Sequence, residues 1–441
     1  MNGEFRTPPD VFSWAESFTN LERGSYPSDK RVYRLDRMHG LLEMFDNPEA
    51  RLRIIHVAGT KGKGSTSALL ASVLHAAGRR TGLYTSPHVE SYFERIAIAG
   101  EPRQPELLVR VGREVKAVID TLPPEDFPGH YGPTTFELLT LLAFLYFRES
   151  GCKEAVVETG IGGRLDATNV VSSAASVITP LDLEHTEILG DTLEKIAMEK
   201  AGIIKPGAPC FIGLQPLQVK EVIRQVCRER GSAPAFLDEE TSELTAAVDT
   251  KGTSFSLRLA GGPVERFRLS MLGAFQAENA ALAYLLLRRT RPEITGEQYR
   301  QGFLDTTLPG RMELRGTDPV VVLDGAHTPL AVTRLKDAFR AVFPGEAILL
   351  FGSVSGKNPR AMAEIMAPYF FRIIISTPGT FKESNPKEVA DIFRAVKPDA
   401  TLLEPDPRQA LRLAMEESEG KRPILVTGSF YMVAEIRRLL R

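Results

Sequence analysis

The stretch that most limits how this chain can fold is RLRIIHVAGTKGKGSTSALLASVLHAAG, from Arg51 to Gly78. Its first part reads as a buried strand. Its last part, from Ser65, reads as a helix with Leu69, Val73 and Ala77 on one face and Gly78 as the stop signal. Between them lie Gly59, Gly62 and Gly64, interleaved with Lys61 and Lys63. A strand joined to a helix by a glycine turn opens an α/β pattern with a mainly parallel sheet. The turn is not spelled G-x-x-x-x-G-K-[ST], which would need glycine at Val57 and a hydroxyl residue at Gly64. It reads Gly59-x-x-Gly62-Lys63-Gly64-Ser65-Thr66. Glycines let backbone N–H groups converge, the helix N-terminus adds positive potential, and Lys63 reaches terminal phosphates. Ser65 and Thr66 offer hydroxyls to phosphate or Mg²⁺. No N-K-x-D base-reading motif accompanies the loop, so ATP is the expected nucleotide.

The alternation continues with strands at TGLYTS, EAVVETG and ASVITP. Thr134 and Glu137 form a capping box that opens the helix FELLTLLAFLYF, which is too short for the ~20 residues of a membrane span and reads as buried. Asp191 and Glu194 predict a second capping box opening DTLEKIAMEKAG, with the helix ending at Gly202. TSFSLRLAGGPVERFRLSM alternates around Gly-Gly-Pro and predicts a hairpin near the end of the first domain. After the linker TTLPGR, the apolar runs VVVLDGA, AILLFGSV, FRIIIST, ATLLEP and RPILVTGS are each followed by an amphipathic helix. The expected organisation is a P-loop-type domain over residues 1–305, with helices on both faces of its sheet, followed by a smaller Rossmann-like α/β domain over 306–441.

With 441 residues and a formal charge of −2, the chain shows no basic stripe for a nucleic-acid backbone, and small molecules are the expected partners. Cys152, Cys210 and Cys227 are isolated and without a C-x-x-C pair, which points away from disulfides and zinc and toward a reducing, cytoplasmic setting. No secretory leader is read at the start of the chain.

The segments HVAGTKGKGST, TSPHVESYFERIAIAG, VETGIGGRLDATNVV, LEHTEILGDTLEKIAMEKAGIIKPG, GAFQAENAALA, LPGRMEL, LDGAHTP and TGSFYMVAEIRRLL, in this order, resemble the folylpolyglutamate synthase and dihydrofolate synthase family within the Mur ligases. The resemblance implies an ATP-dependent ligase. ATP phosphorylates a folate or dihydropteroate carboxylate, and the amine of L-glutamate displaces the phosphate to leave an amide. It also implies roles residue by residue. Gly59, Thr60, Gly62, Lys63, Gly64, Ser65 and Thr66 match the phosphate cradle, with Lys63 as its lysine. Ser86 and Glu158 match the ligands of one Mg²⁺. His185 matches a ligand of a second, and Lys200 the lysine that the family carries as a carbamate, an anionic oxygen donor suited to a hard cation. Asn279, Arg311, Asp324 and His327 match nucleotide contacts, and Ser429 a residue linked to the incoming glutamate. SPHVESYFERIAIAG matches the segment shaping the pterin side, with Glu94 and Arg95 in structural roles. The family implies a monomer.

Three positions depart from the commoner bacterial spelling: Lys61 stands where asparagine is frequent, Glu184 where aspartate precedes the histidine, and Thr328 where asparagine follows His327. The alternative reading is a nucleotide-binding regulatory or scaffold protein that keeps the fold without ligase chemistry. The presence of Lys63, Glu158, His185 and Lys200 together weighs against it.

Overall fold

The apolar run before the glycine turn becomes the centre of a sheet covered on both faces. The structure, a computed structural model, describes residues 5–21, 34–128, 130–379 and 382–440. Of the N-terminal stretch MNGEFRTPPDVFSWAESF, in which no leader is read, residues 1–4 lie outside these. Seven strands, β1 (Arg53–Ala58), β2 (Thr81–Tyr84), β3 (Ile96–Ile98), β4 (Glu154–Glu158), β5 (Ala175–Ile178), β6 (Cys210–Ile212) and β7 (Pro234–Phe236), pair in the order β3-β2-β4-β1-β5-β6-β7. All pairs are parallel except β2 with β3. Successive side chains of a strand point to opposite faces. Accordingly Ile54, Ala155 and Val157 join a core with the helix Thr135–Glu149, while Ile55, Val57, Val156 and Val177 join another with the helices Lys63–Ala76 and Ala274–Thr290. Burial on both faces explains why these strands read as continuous apolar runs.

A three-stranded antiparallel sheet, β8 (Thr241–Asp249), β9 (Gly252–Leu259) and β10 (Val264–Leu269), extends the second core through Phe255, Leu257 and Phe267. The predicted hairpin is β9–β10; β8 escapes the sequence pattern because it is half exposed and lacks alternation. A separate six-stranded sheet comprises β11 (Glu313–Arg315), β12 (Val321–Leu323), β13 (Ile348–Phe351), β14 (Arg372–Ile375), β15 (Thr401–Leu403) and β16 (Ile424–Thr427), ordered β11-β12-β16-β13-β14-β15. It is parallel apart from the edge strand β11. Among the described residues no helix is long and apolar enough to cross a membrane.

Two expectations are corrected. The helix after the glycine turn starts at Lys63, inside the turn, rather than at Ser65, because Gly62 adopts φ 85° and serves as its N-cap. The second capping box does not form. Thr192 caps the helix Leu193–Ala201 by accepting from Lys195 N, while the Asp191 carboxylate is held by Lys195 Nζ at 2.8 Å. The box at Thr134 and Glu137 does form.

Two arginines and their carboxylate partners hold the frame. Arg37, on the helix Leu35–Glu43, makes a bidentate pair with Glu137 at 2.9 Å, and both side chains are almost wholly buried. Arg437, on the C-terminal helix Phe430–Leu439, pairs with Glu313 at 3.0 Å and with Glu90 of the loop after β2, tying the second sheet to the first. Stripping a buried carboxylate of its cation costs about 3–5 kcal/mol. Arg37→Ala is therefore expected to lower the urea-unfolding free energy by about that amount, and Arg37→Ala with Glu137→Gln by less.

Candidate active site

Because β1, β2, β4 and β5 run parallel, the loops at their C-terminal ends share one edge of the sheet, the usual ligand crevice of such folds. There they and the loops of the second sheet enclose a cavity of about 910 Å³.

The glycines of the first loop are demanded by its neighbours. A methyl group on Gly59 would lie 1.8 Å from Thr179 Oγ1, and one on Gly62 2.4 Å from Asn279 Oδ1. Thr60, Gly62, Lys63, Gly64 and Ser65 line the cavity, whereas Gly59, Thr66 and Lys200 lie one layer behind. Of the two candidate hydroxyls, Ser65 thus faces the cavity. The Thr66 hydroxyl is fully buried, with no hydrogen-bond partner among the described residues. Lys200 Nζ donates to the Gly59 carbonyl at 2.7 Å and so braces the loop from beneath.

Opposite the loop, Ser86 N donates to Glu158 Oε2 at 3.1 Å. Burial pushes the Glu158 carboxyl up to about 7 against the opposing charge of Lys63, the Ser86 N–H and Arg311. Burial likewise lowers the Lys200 ammonium to about 7, with the Lys63 charge acting in the same direction. His185 also lines the cavity, at φ 53°, and its burial depresses its basicity. Glu184 beside it behaves oppositely. Burial would raise it, but Lys61, Lys63 and His185 outweigh that and hold it at about 2.

From the other side, Asp324 accepts N–H bonds from Met312 and Ala326 at 2.9 Å each, and Arg311 lies 4.5 Å over the Phe430 ring. Burial drops His327 to about 4, and its Nδ1 meets the Gly325 carbonyl at 2.8 Å, which leaves Nε2 as an acceptor. Ser429 caps the helix Phe430–Leu439, accepting from Met432 N and donating to the Gly352 carbonyl at 2.9 Å. Asn279, Arg311, Asp324, His327 and Ser429 all line the cavity.

A glycine turn running into a helix N-terminus suits phosphate. Ser86 and Glu158 offer a hydroxyl and a carboxylate, hard donors of the kind Mg²⁺ takes. Among the described residues no group of three or more His, Cys, Asp or Glu side chains converges on one metal position. Such an ion would complete its shell with phosphate oxygens and water.

The Mur ligase middle domain profile matches residues 57–287, and the Mur ligase glutamate ligase domain profile matches 310–430. The chain belongs to the Mur ligase family. Within it, the chain is 33% identical to the dihydrofolate synthase/folylpolyglutamate synthase of Bacillus subtilis over 99% of its length and 100% of that protein. It is 32% identical to the folylpolyglutamate synthase of Lacticaseibacillus casei, over 94% of this chain and 96% of the relative. The Mycobacterium tuberculosis folylpolyglutamate synthase complexed with ADP superposes with a TM-score of 0.88 at 29% identity, covering 98% of each chain. This Mur ligase is similar over nearly its whole length to the folate branch.

Sequence reasoning missed Phe12, Ser13 and Glu16 of the helix Pro8–Glu16, which line the same cavity, with Glu16 accepting from Tyr92 Oη at 2.5 Å. No motif marks them. Glu94 and Arg95 both brace their own segment, and Arg95 also lines the cavity. The Glu94 carboxylate accepts from the N–H groups of Val89, Glu90 and Ser91, and Arg95 Nε reaches His88 Nδ1 at 3.0 Å.

A buried relay supports the cavity floor. Asp166 accepts from Gly160 N and Ile161 N and from Thr168 Oγ1, and Thr168 Oγ1 in turn meets His56 Nε2 at 2.8 Å on β1. Thr168 has one proton and donates it to the carboxylate, so His56 Nε2 carries the hydrogen that it accepts. Burial, aided by the Lys205 charge, holds His56 at about 3, below its ordinary 6.5. Between these values the unfolded chain binds a proton that the native chain refuses, so stability falls as pH drops through that window. In His56→Gln the slope of unfolding free energy against pH, measured by urea titration from pH 6.5 to 4, should be shallower by one proton, about 1.4 kcal/mol per pH unit.

Proposed function

We propose that the chain joins the amine of L-glutamate to a carboxylate of a folate or of dihydropteroate in an ATP-dependent amide ligation. The observation that carries this reading is the convergence of Lys63, Ser86, Glu158 and His185 from the first sheet, and of Arg311, Asp324, His327 and Ser429 from the second, on one cavity. A carboxylate accepts an amine only after one oxygen becomes a leaving group, so the site must hold a nucleotide, an acid and an amino acid together. Residues 1–305 would hold the nucleotide and the acid, and 306–441 would present the amino acid. Names of relatives in both the synthase and the polyglutamate classes support the substrate assignment.

In this reading Lys63 and the loop N–H groups orient the triphosphate, and Arg311 meets it from the second sheet. Asn279, Asp324 and His327 complete the nucleotide's surroundings. Ser86 and Glu158 would hold Mg²⁺, which when bound would supply charge neutralisation for phosphoryl transfer. Ser429 serves the glutamate indirectly, since its hydroxyl is already committed to Gly352 and Met432. It fixes the helix N-terminus that faces the cavity, a site suited to a carboxylate. The test is phosphate release with ATP, Mg²⁺ and glutamate, offering dihydropteroate or tetrahydrofolate, with product masses recorded. A gain of one glutamate residue on either acid is expected, and no gain on both would overturn the reading.

As a nitrogen pair, His185 and the Lys200 amine are poor company for Mg²⁺. A carbamate on Lys200 resolves this. At about 7 much of the amine is unprotonated at neutral pH, the form that attacks CO₂ through its nitrogen and then releases one proton. The expected results are that Lys200→Ala loses most ligase activity, that a short carboxylate restores part of it, and that gentle mass spectrometry finds one CO₂ on the wild-type chain. Full activity of Lys200→Ala would refute the role.

A further inference from the structure

The phosphate loop is fastened to the segment that leads from β5 to His185 by a seam of four contacts. Thr60 N and Lys61 N both donate to the Pro180 carbonyl at 3.1 Å, and Thr60 Oγ1 donates to the Asp182 carbonyl at 3.3 Å. Lys61 Nζ then pairs with Glu184 Oε1 at 3.1 Å. The first three contacts end on main-chain carbonyls that any residue would offer. Only the last is made by side chains at both ends.

That ion pair is placed where it has consequences. Glu184 immediately precedes His185, whose φ of 53° is a conformation that a non-glycine residue keeps only when its surroundings impose it. Each side chain of the pair is 24% exposed at the cavity wall, so it is only partly screened by solvent. The same carboxylate also feels the charge of Lys63. One contact therefore spans the loop that carries Lys63 and the turn that carries His185. Lys61 and Glu184 are also two of the three positions at which the chain departs from the commoner family spelling. They are the two ends of one contact.

We propose that Lys61 and Glu184 are a positioning pair that fixes the His185 turn against the phosphate loop. This rests on the ligase reading of the site. The pair acts through His185 and Lys63 rather than on substrate, so its loss should show in turnover and in the use of Mg²⁺ more than in the KM for ATP.

The test is a cycle of Lys61→Asn, Glu184→Asp and the double variant, in which an amide and a shorter carboxylate stand at the two ends of the contact. Each single variant is expected to lower kcat about tenfold or more, raise the Mg²⁺ concentration at half-maximal rate, and leave the thermal midpoint nearly unchanged. The double variant should recover most of the loss. Calorimetry with AMPPCP, with and without Mg²⁺, gives a readout independent of turnover. The gain in affinity from Mg²⁺ should shrink in the singles and return in the double. Independent losses that simply multiply in the double, or an equal Mg²⁺ gain in all four proteins, would overturn the proposal. So would a rise in the ATP KM confined to Lys61→Asn, which would make Lys61 a phosphate contact instead. If the wild-type chain forms no glutamate-dependent ADP, the ligase reading fails by itself, and the AMPPCP cycle still decides whether the pair is coupled.

Discussion

A parallel sheet covered by helices on both faces has no face left for polar chemistry; only the ends of its strands reach solvent. In this chain β1 sits at the middle of such a sheet, with β4 on one side and β5 on the other. Chain connections leave β1 toward β2 on one side and leave β5 toward β6 on the other, so the loops part between β1 and β5 and open a crevice there. The phosphate loop, the Ser86 turn, Glu158 and the His185 turn all sit at this edge because the apolar strands beneath them permit no other place. Burial of Ile54, Ile55 and Val57 in two separate cores is thus what positions the site.

The same burial sets the electrostatics. Glu158, Lys200, His185 and His327 are all pushed toward their neutral forms, because each gives up water on being buried in or behind the cavity wall. Glu184 is the exception, surrounded by enough cations to stay ionised. A site whose buried acids are held toward neutrality while Lys61, Lys63 and Arg311 line it is suited to reactants that bring negative charge, as a nucleoside triphosphate and two carboxylic acids do.

Much of this was legible in the sequence. The runs that became β1, β4, β5, β12, β13, β14 and β16 are apolar without alternation because both faces of each sheet are covered. The glycine loop was legible because its residue types have few other uses. Elements at the edges were not: β3 and β11 are three residues long, and β8 is half exposed, so none carries a period long enough to detect. The N-terminal helix contributes Phe12 and Glu16 to the cavity, but an amphipathic helix looks the same whether its buried face meets a core or a ligand.

By itself the sequence determined the alternation of strand and helix, the glycine turn with Lys63 at its end, and the cap at Thr134, all of which are decided by neighbours a few residues apart. Only the tertiary structure decided that Ser65 faces the cavity while Thr66 does not, and that Lys200 braces the Gly59 carbonyl. It also decided that Lys61 finds its partner at Glu184. These contacts join residues more than a hundred positions apart or depend on the rotation of a helix within its core. Sheet order and packing, which no local pattern encodes, settle which side chains meet.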